Sequence, residues 1–137
     1  MEYREVRQNL FTVDKKYYLA HCISADAKMG AGIAVEFAKK YPKIKSLQQQ
    51  RLVIGSCVHI DRVLNLVTKG VYYGKPTYES LRMSLDSCKR VCIDSNIKYL
   101  AMPKIGCGLD RLSWGEVRLI IGEVFQGMEI EILVCSL

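Results

Sequence analysis

Short apolar runs of strand length alternate along this chain with stretches whose apolar residues recur at helical spacing, and few folds accept that alternation. Tyr17-Tyr18-Leu19-Ala20-His21-Cys22-Ile23 is one compact run, bounded by Lys15-Lys16 and Ser24. Residues 31–41 then set Ile33, Ala34, Phe37 and Tyr41 at helical spacing, with Pro42 as a stop. Residues 44–51 read as a further short helix. Residues 56–60 and 63–68 predict two strands joined at Asp61-Arg62. The longest helical pattern, 78–96, carries Leu81, Leu85, Cys88 and Cys92 on one stripe, and Pro76-Thr77 supplies its start. Residues 99–102 form a buried strand ended by Pro103, residues 112–125 a last helix, and residues 130–137 a closing strand. The expectation is one α/β domain over 1–137, with helices on both faces of a largely parallel sheet that one hairpin makes mixed.

Two glycine-rich segments fall at strand-to-helix junctions. The first is Ser24-Ala25-Asp26-Ala27-Lys28-Met29-Gly30-Ala31-Gly32-Ile33-Ala34, and the second is Pro103-Lys104-Ile105-Gly106-Cys107-Gly108-Leu109-Asp110. Open α/β sheets bind ligands outside the carboxyl ends of their strands, where helix N-termini present free N–H groups to anions. Glycine lets the backbone approach a diphosphate closely. A lone GxG is more often a tight turn, but two at one sheet edge point to a phosphate site. The first segment lacks the third glycine and later acid of a dinucleotide-binding fingerprint, and neither carries the Gly-Lys-Ser/Thr of a P-loop.

Lysine and arginine outnumber aspartate and glutamate, 20 to 14, for a net charge of +6. That balance favours anionic partners or simply solubility. The basic residues are scattered rather than interleaved with aromatics, so no dedicated nucleic-acid groove is read. The six cysteines, Cys22, Cys57, Cys88, Cys92, Cys107 and Cys135, include no CxxC pair and no zinc spacing. They read as reduced thiols, and no metal or other cofactor is expected. A charged N-terminus and the lack of any long apolar stretch suggest an intracellular, cytoplasmic protein without a membrane span.

Lys69 follows the apolar run Asn65-Leu66-Val67-Thr68. It reads either as a solvated charge or, if desolvated at the ligand edge of the sheet, as an amine nucleophile. Asp110 reads either as a helix cap or as an acid–base group beside bound phosphates. His21 reads as a core histidine, and Trp114 and Tyr78 as core or helix-start anchors rather than stacking platforms.

His21-Cys22-Ile23-Ser24, Met29-Gly30-Ala31-Gly32-Ile33-Ala34, Lys75-Pro76-Thr77-Tyr78-Glu79 and the run from Met102 through Gly106-Cys107-Gly108-Leu109-Asp110 to Leu112 resemble the macrodomain family. Within it they look most like the terminal ADP-ribose protein glycohydrolases, over nearly the whole chain. The resemblance implies a three-layer α/β/α sandwich around a six-stranded mixed sheet, with ADP-ribose in a cleft across its strand ends. It implies ligand contacts from Asn9, Leu10, His21, Ser24, Met29, Gly30, Ala31, Gly32, Ile33 and Thr68. Pro103, Ile105, Gly106, Cys107, Gly108 and Leu109 would close on the phosphates from the other side.

The same resemblance makes Lys69 and Asp110 a catalytic pair. Lys69 would attack the anomeric carbon of the distal ribose, and Asp110 would assist departure and then resolve the adduct. Substrates would be glutamate- or aspartate-linked ADP-ribose on protein and O-acetyl-ADP-ribose. The protein would act as a monomer on ADP-ribose and ADP-ribosylated protein. The alternatives are removal of ADP-ribose from thymidine in nucleic acid and non-catalytic reading of ADP-ribose. One position departs from the family pattern: Gln8-Asn9 stands where a Gly-Asp pair usually binds adenine. The Asn9 amide oxygen can still accept that bond, without the charge of a carboxylate.

Overall fold

The most apolar runs occupy the middle of one sheet. In the computed structural model, which describes residues 1–137, the strands are β1 (Glu2–Arg7), β2 (Tyr18–Ser24), β3 (Cys57–Ile60), β4 (Val63–Lys69), β5 (Tyr99–Met102) and β6 (Glu131–Ser136). The helices are α1 (Ile33–Lys40), α2 (Tyr78–Asp94) and α3 (Trp114–Phe125), with 3-10 segments at Leu10–Thr12 and Pro42–Gln49. The strands form one six-stranded sheet in the order β1-β6-β5-β2-β4-β3. Every neighbouring pair is parallel except the β3–β4 hairpin. The hairpin turns at Asp61, whose φ of 52° is a left-handed conformation that aspartate tolerates.

Period-two alternation sends the two sides of each central strand into different cores. Leu64, Leu66, Leu100, Met102, Ile132 and Val134 face α2 and α3. Leu19, Ile23, Val63, Val67, Ala101 and Leu133 face α1 and the 3-10 segments. Each such leucine or isoleucine, once fully buried, contributes about 1.5–3 kcal/mol from transfer alone. The Leu81, Leu85, Cys88 and Cys92 stripe of α2 is wholly buried, as its spacing predicts. The helix starts where Pro76-Thr77 indicates. Thr77 Oγ1 accepts from Ser80 N at 3.0 Å, and Ser80 Oγ accepts from Thr77 N at 2.9 Å. Such reciprocal capping is worth about 1 kcal/mol.

Two features differ from expectation. β1 was not apparent in the sequence, because Glu2, Arg4, Glu5 and Arg7 leave only Tyr3 and Val6 half-buried. It is an edge strand, where exposed charge blunts unwanted pairing, and its partner β6 lies at the far end of the chain. Pro42 does end α1, but it also occupies the first turn of the next helical segment, where its missing N–H costs nothing. No helix is long and apolar enough to cross a membrane.

Candidate active site

β2 and β5 are hydrogen-bonded neighbours only at Tyr18–Leu100 and Leu19–Ala101. Beyond those residues β2 runs on beside β4 to Ser24, while β5 ends at Met102. The chain after β2 leads to α1 on one face, and the chain after β5 leads to α3 on the other. This divergence is the switch point where open α/β sheets bind ligands. A cleft of about 1020 Å³ opens there, walled by both glycine segments and by the loop that follows β4. That volume lies at the upper end of ordinary small-molecule sites.

Lys69 and Asp110 meet in this cleft. The Lys69 Nζ donates to Asp110 Oδ1 at 2.7 Å, and each side chain is 15% exposed. Lys69 is the last residue of β4, and hydroxyls of α2 hold the strand end in place. Ser80 Oγ donates to the Thr68 carbonyl and Ser84 Oγ to the Val67 carbonyl, each at 2.7 Å. Asp110 is set by the tight second glycine loop. Gly106 has φ of +73°, and a Cβ there would come within 3.0 Å of Leu112 Cδ1. Lys75 Nζ donates to the Leu109 carbonyl at 2.6 Å, fastening this loop to the one after β4.

Five cations, Lys28, Lys69, Lys75, Lys104 and Arg111, line the cleft with one carboxylate, Asp110. Lys69 alone among them is in an ion pair, so the wall presents net positive charge to an anion. Gly30 and Gly108 face open space, which leaves their backbone free for close approach. Gly32 has φ of +61°, and a Cβ there would lie 3.4 Å from Leu109 Cδ1 on the opposite loop.

Two thiols also reach the cleft. Burial, followed by the Asp110 charge, pushes Cys22 up to about 12. Burial raises Cys107 as well, against the opposing Lys104. Both therefore stay protonated at neutral pH and are poor nucleophiles. The other nucleophile type in the cleft is the Lys69 side chain, which is in contact with the Asp110 carboxylate. No cluster of three or more His, Cys, Asp or Glu side chains is arranged to hold a metal ion.

Residues 20–121 match the family described as Macro domain. The chain is a macrodomain. It is similar to the human protein named ADP-ribose glycohydrolase OARD1, at 43% identity over 136 residues, covering 96% of this chain and 90% of that one. Among solved structures, the macrodomain of Mycobacterium tuberculosis DarG superposes with a TM-score of 0.89 at 21% identity, over 98% of this chain and 97% of that one. Thermosipho africanus DarTG, solved in complex with ADP-ribose, superposes with a TM-score of 0.81 at 18% identity, over 99% of this chain and 42% of that one.

In this macrodomain the cleft wall brings together Ser24, Met29 and residues 30–33 from the first glycine segment. Facing them are Pro103 and residues 105–110 from the second, with Lys69 between. Asn9, Leu10, His21 and Thr68 are not part of that wall. His21 and Thr68, for which the resemblance implies ligand contact, lie outside that wall and are buried, at 0% and 1% exposure. His21 is the core histidine that its apolar run suggested. Its Nε2 lies 2.7 Å from Asn65 Oδ1, and its ring stacks on Phe37 at 3.9 Å between centroids. Leu10 is buried in the core. Asn9 Oδ1 accepts from Phe11 N at 3.0 Å, capping the Leu10–Thr12 turn. Tyr78 and Trp114 begin α2 and α3, as anchors should; Tyr78 accepts from Ser113 N at 2.9 Å.

Sequence reasoning missed Cys22, Lys28, Tyr72, Tyr73, Lys75, Lys104 and Arg111 among the cleft residues. The pattern Gly70-Val71-Tyr72-Tyr73-Gly74 was the available signal, since two tyrosines between glycines have no core to enter. Asp26 was also missed. Burial opposes its charge, yet the Ser24 hydroxyl and the N–H groups of Tyr72 and Lys28 hold its carboxyl below the usual range.

Proposed function

We propose that this macrodomain, acting as a monomeric single-domain unit over residues 1–137, is an ADP-ribosyl hydrolase. It binds ADP-ribose in the cleft and releases it from glutamate- or aspartate-modified protein and from O-acyl-ADP-ribose. The 2.7 Å Lys69–Asp110 contact inside a cation-lined cleft carries this reading, and the 43% identity to a protein named as an ADP-ribose glycohydrolase supports it.

The diphosphate lies along residues 30–33 and 105–109, where the backbone N–H groups other than those of Ile105 and Cys107 are free of backbone partners and, with the unpaired cations, neutralise it. The Lys69 ammonium passes a proton to Asp110, and the resulting amine attacks the anomeric carbon of the distal ribose. The bond to the ester oxygen breaks with its electron pair, and protonated Asp110 returns the proton to the departing carboxyl group. Asp110 then takes a proton from water as the water oxygen displaces the lysine nitrogen, and passes that proton to the departing amine, which frees ADP-ribose and restores the ion pair. A carboxylate is a good leaving group. A serine alkoxide is a poor one, so serine-linked modification is not a substrate.

The test is release of ADP-ribose from glutamate-modified protein, serine-modified protein and thymidine-modified DNA in parallel. Turnover confined to the glutamate ester is expected. Preference for DNA would reassign the aglycone, and tight binding without turnover on any of them would make the domain a reader.

A further inference from the structure

Beside the cleft lies an exposed apolar strip that the ADP-ribose reading does not use. Val53, Ile54, Val71, Tyr72 and Tyr73 are between 37% and 74% exposed. Ile54, preceded by Val53, lies against the start of the loop that carries the other three: a Cβ on Gly70 would lie 3.7 Å from Ile54 Cδ1, and the 71–74 turn closes through Gly74 N to the Val71 carbonyl at 3.0 Å. The Tyr72 and Tyr73 rings meet edge to face at 5.2 Å, and both line the cleft. The strip therefore runs from the cleft wall outward.

The strip is also held in place. The Asp26 carboxylate accepts from the Ser24 hydroxyl, from Lys28 N at 3.3 Å and from Tyr72 N at 3.1 Å, across 46 residues of chain. Lys28 Nζ sits 5.1 Å over the Tyr72 ring. An exposed apolar surface anchored this firmly beside a cleft has the character of an interaction site rather than a loose loop.

Resting on the hydrolase reading, we infer that this strip docks the polypeptide carrying the ADP-ribose, with Asp26 as its positioning residue. Tyr72 follows Lys69 by three residues, so their Cα atoms lie no more than about 11 Å apart, and Lys69, Tyr72 and Tyr73 all line the same cleft. A nucleic-acid track needs cations along the phosphates. None of the five strip residues is itself charged, although Lys28 rests on the Tyr72 ring, and the exposed aliphatic Val53, Ile54 and Val71 offer contact to apolar side chains of a polypeptide rather than to phosphates.

The experiment measures binding in an inactivated Lys69→Ala background. Dissociation constants are compared for free ADP-ribose, a glutamate-modified protein and an ADP-ribosylated single-stranded oligonucleotide. The parent is expected to bind the modified protein at least fivefold tighter than ADP-ribose. Val53→Ser/Ile54→Ser should lose that margin, and Val53→Ser alone should lose part of it, with ADP-ribose affinity unchanged in both. No margin in the parent, an unchanged margin in the variants, or a margin lost only for the oligonucleotide overturns the inference. Turnover of O-acetyl-ADP-ribose, which has no polypeptide, is followed separately with Lys69 intact. Its absence would sink the hydrolase reading, while the binding comparison still decides the strip. Asp26→Asn should raise KM for modified protein more than for O-acetyl-ADP-ribose and leave kcat for both; equal effects on both substrates would deny Asp26 the positioning role.

Discussion

The Lys69 ammonium and the Asp110 carboxylate, 41 residues apart in sequence, meet at 2.7 Å across the end of a strand that belongs to neither. Lys69 ends β4, Asp110 follows β5, and β2 lies between them in the sheet. The pair therefore bridges the cleft rather than bracing one wall. Its two side chains are mostly desolvated but open to the ligand side, so its worth to the fold lies between that of surface and buried pairs. Lys69→Ala or Asp110→Ala should each shift urea-unfolding stability by no more than about 2 kcal/mol. A larger loss would show that the pair is mainly a structural brace.

Gly32 tests the placement of the diphosphate. Its φ of 61° with ψ of −151° is a conformation that only glycine adopts without strain. Gly32→Glu adds about 1–3 kcal/mol of backbone strain and sets a carboxylate where phosphates should lie. Calorimetry should find ADP-ribose binding abolished, with the helical circular dichroism of the domain retained. Normal affinity would put the diphosphate elsewhere.

His21 predicts a pH dependence of stability at mildly acidic pH. Burial, only partly offset by the hydrogen bond to Asn65, lowers its imidazole to about 4. Asn65 turns its Nδ2 to the Val58 carbonyl at 3.0 Å, so its oxygen accepts from Nε2–H, and Nδ1 has no partner. A second proton would place an unpaired charge in the core. The unfolded chain therefore takes up the proton first as pH falls. This contribution is complete above about pH 6.5 and drains away toward about pH 4. His21→Gln should flatten the slope of stability over that interval, whatever it does to the midpoint. An unchanged slope would contradict the assignment.

Glu5 acts over a lower interval. The Arg118 guanidinium takes both its oxygens, at 2.6 and 3.0 Å, and the Tyr3 hydroxyl adds a bond at 2.6 Å, tying β1 to α3. Arg118 foremost holds the carboxyl at about 2 against the opposing effect of burial, with Tyr3 and Trp114 helping. A depressed carboxylate stabilises the fold above its ordinary pKa and loses that contribution as pH falls through the folded one. Glu5→Gln should be less stable than wild type near neutrality, and the gap should close below about pH 4.5. A gap that stays constant with pH would mean that the carboxylate charge is not involved.

Much of this was legible in the chain because the informative residues act locally. The turn at Asp61-Arg62, the cap at Thr77 and the buried stripe of α2 each follow from neighbours a few residues away. Lys69 stood out at a strand end before Gly70 and Asp110 at the close of the second glycine loop, and the family resemblance made them a pair. What stayed hidden depends on distant partners. The charged edge strand β1 is a strand only because β6 pairs with it. Asp26 reads as one more loop acid until Tyr72 N, 46 residues on, reaches it. His21 carries a family expectation of ligand contact beside the core reading of its apolar run, and its burial decides between the two.

The most direct measurement is single-turnover release of ADP-ribose from glutamate-modified protein by wild type, Lys69→Ala and Asp110→Ala, with ADP-ribose affinity measured on the same samples. The account predicts that both variants keep affinity within about threefold and lose at least about a hundredfold in rate. Full-rate release by Lys69→Ala would contradict the lysine mechanism and leave the cleft with binding alone.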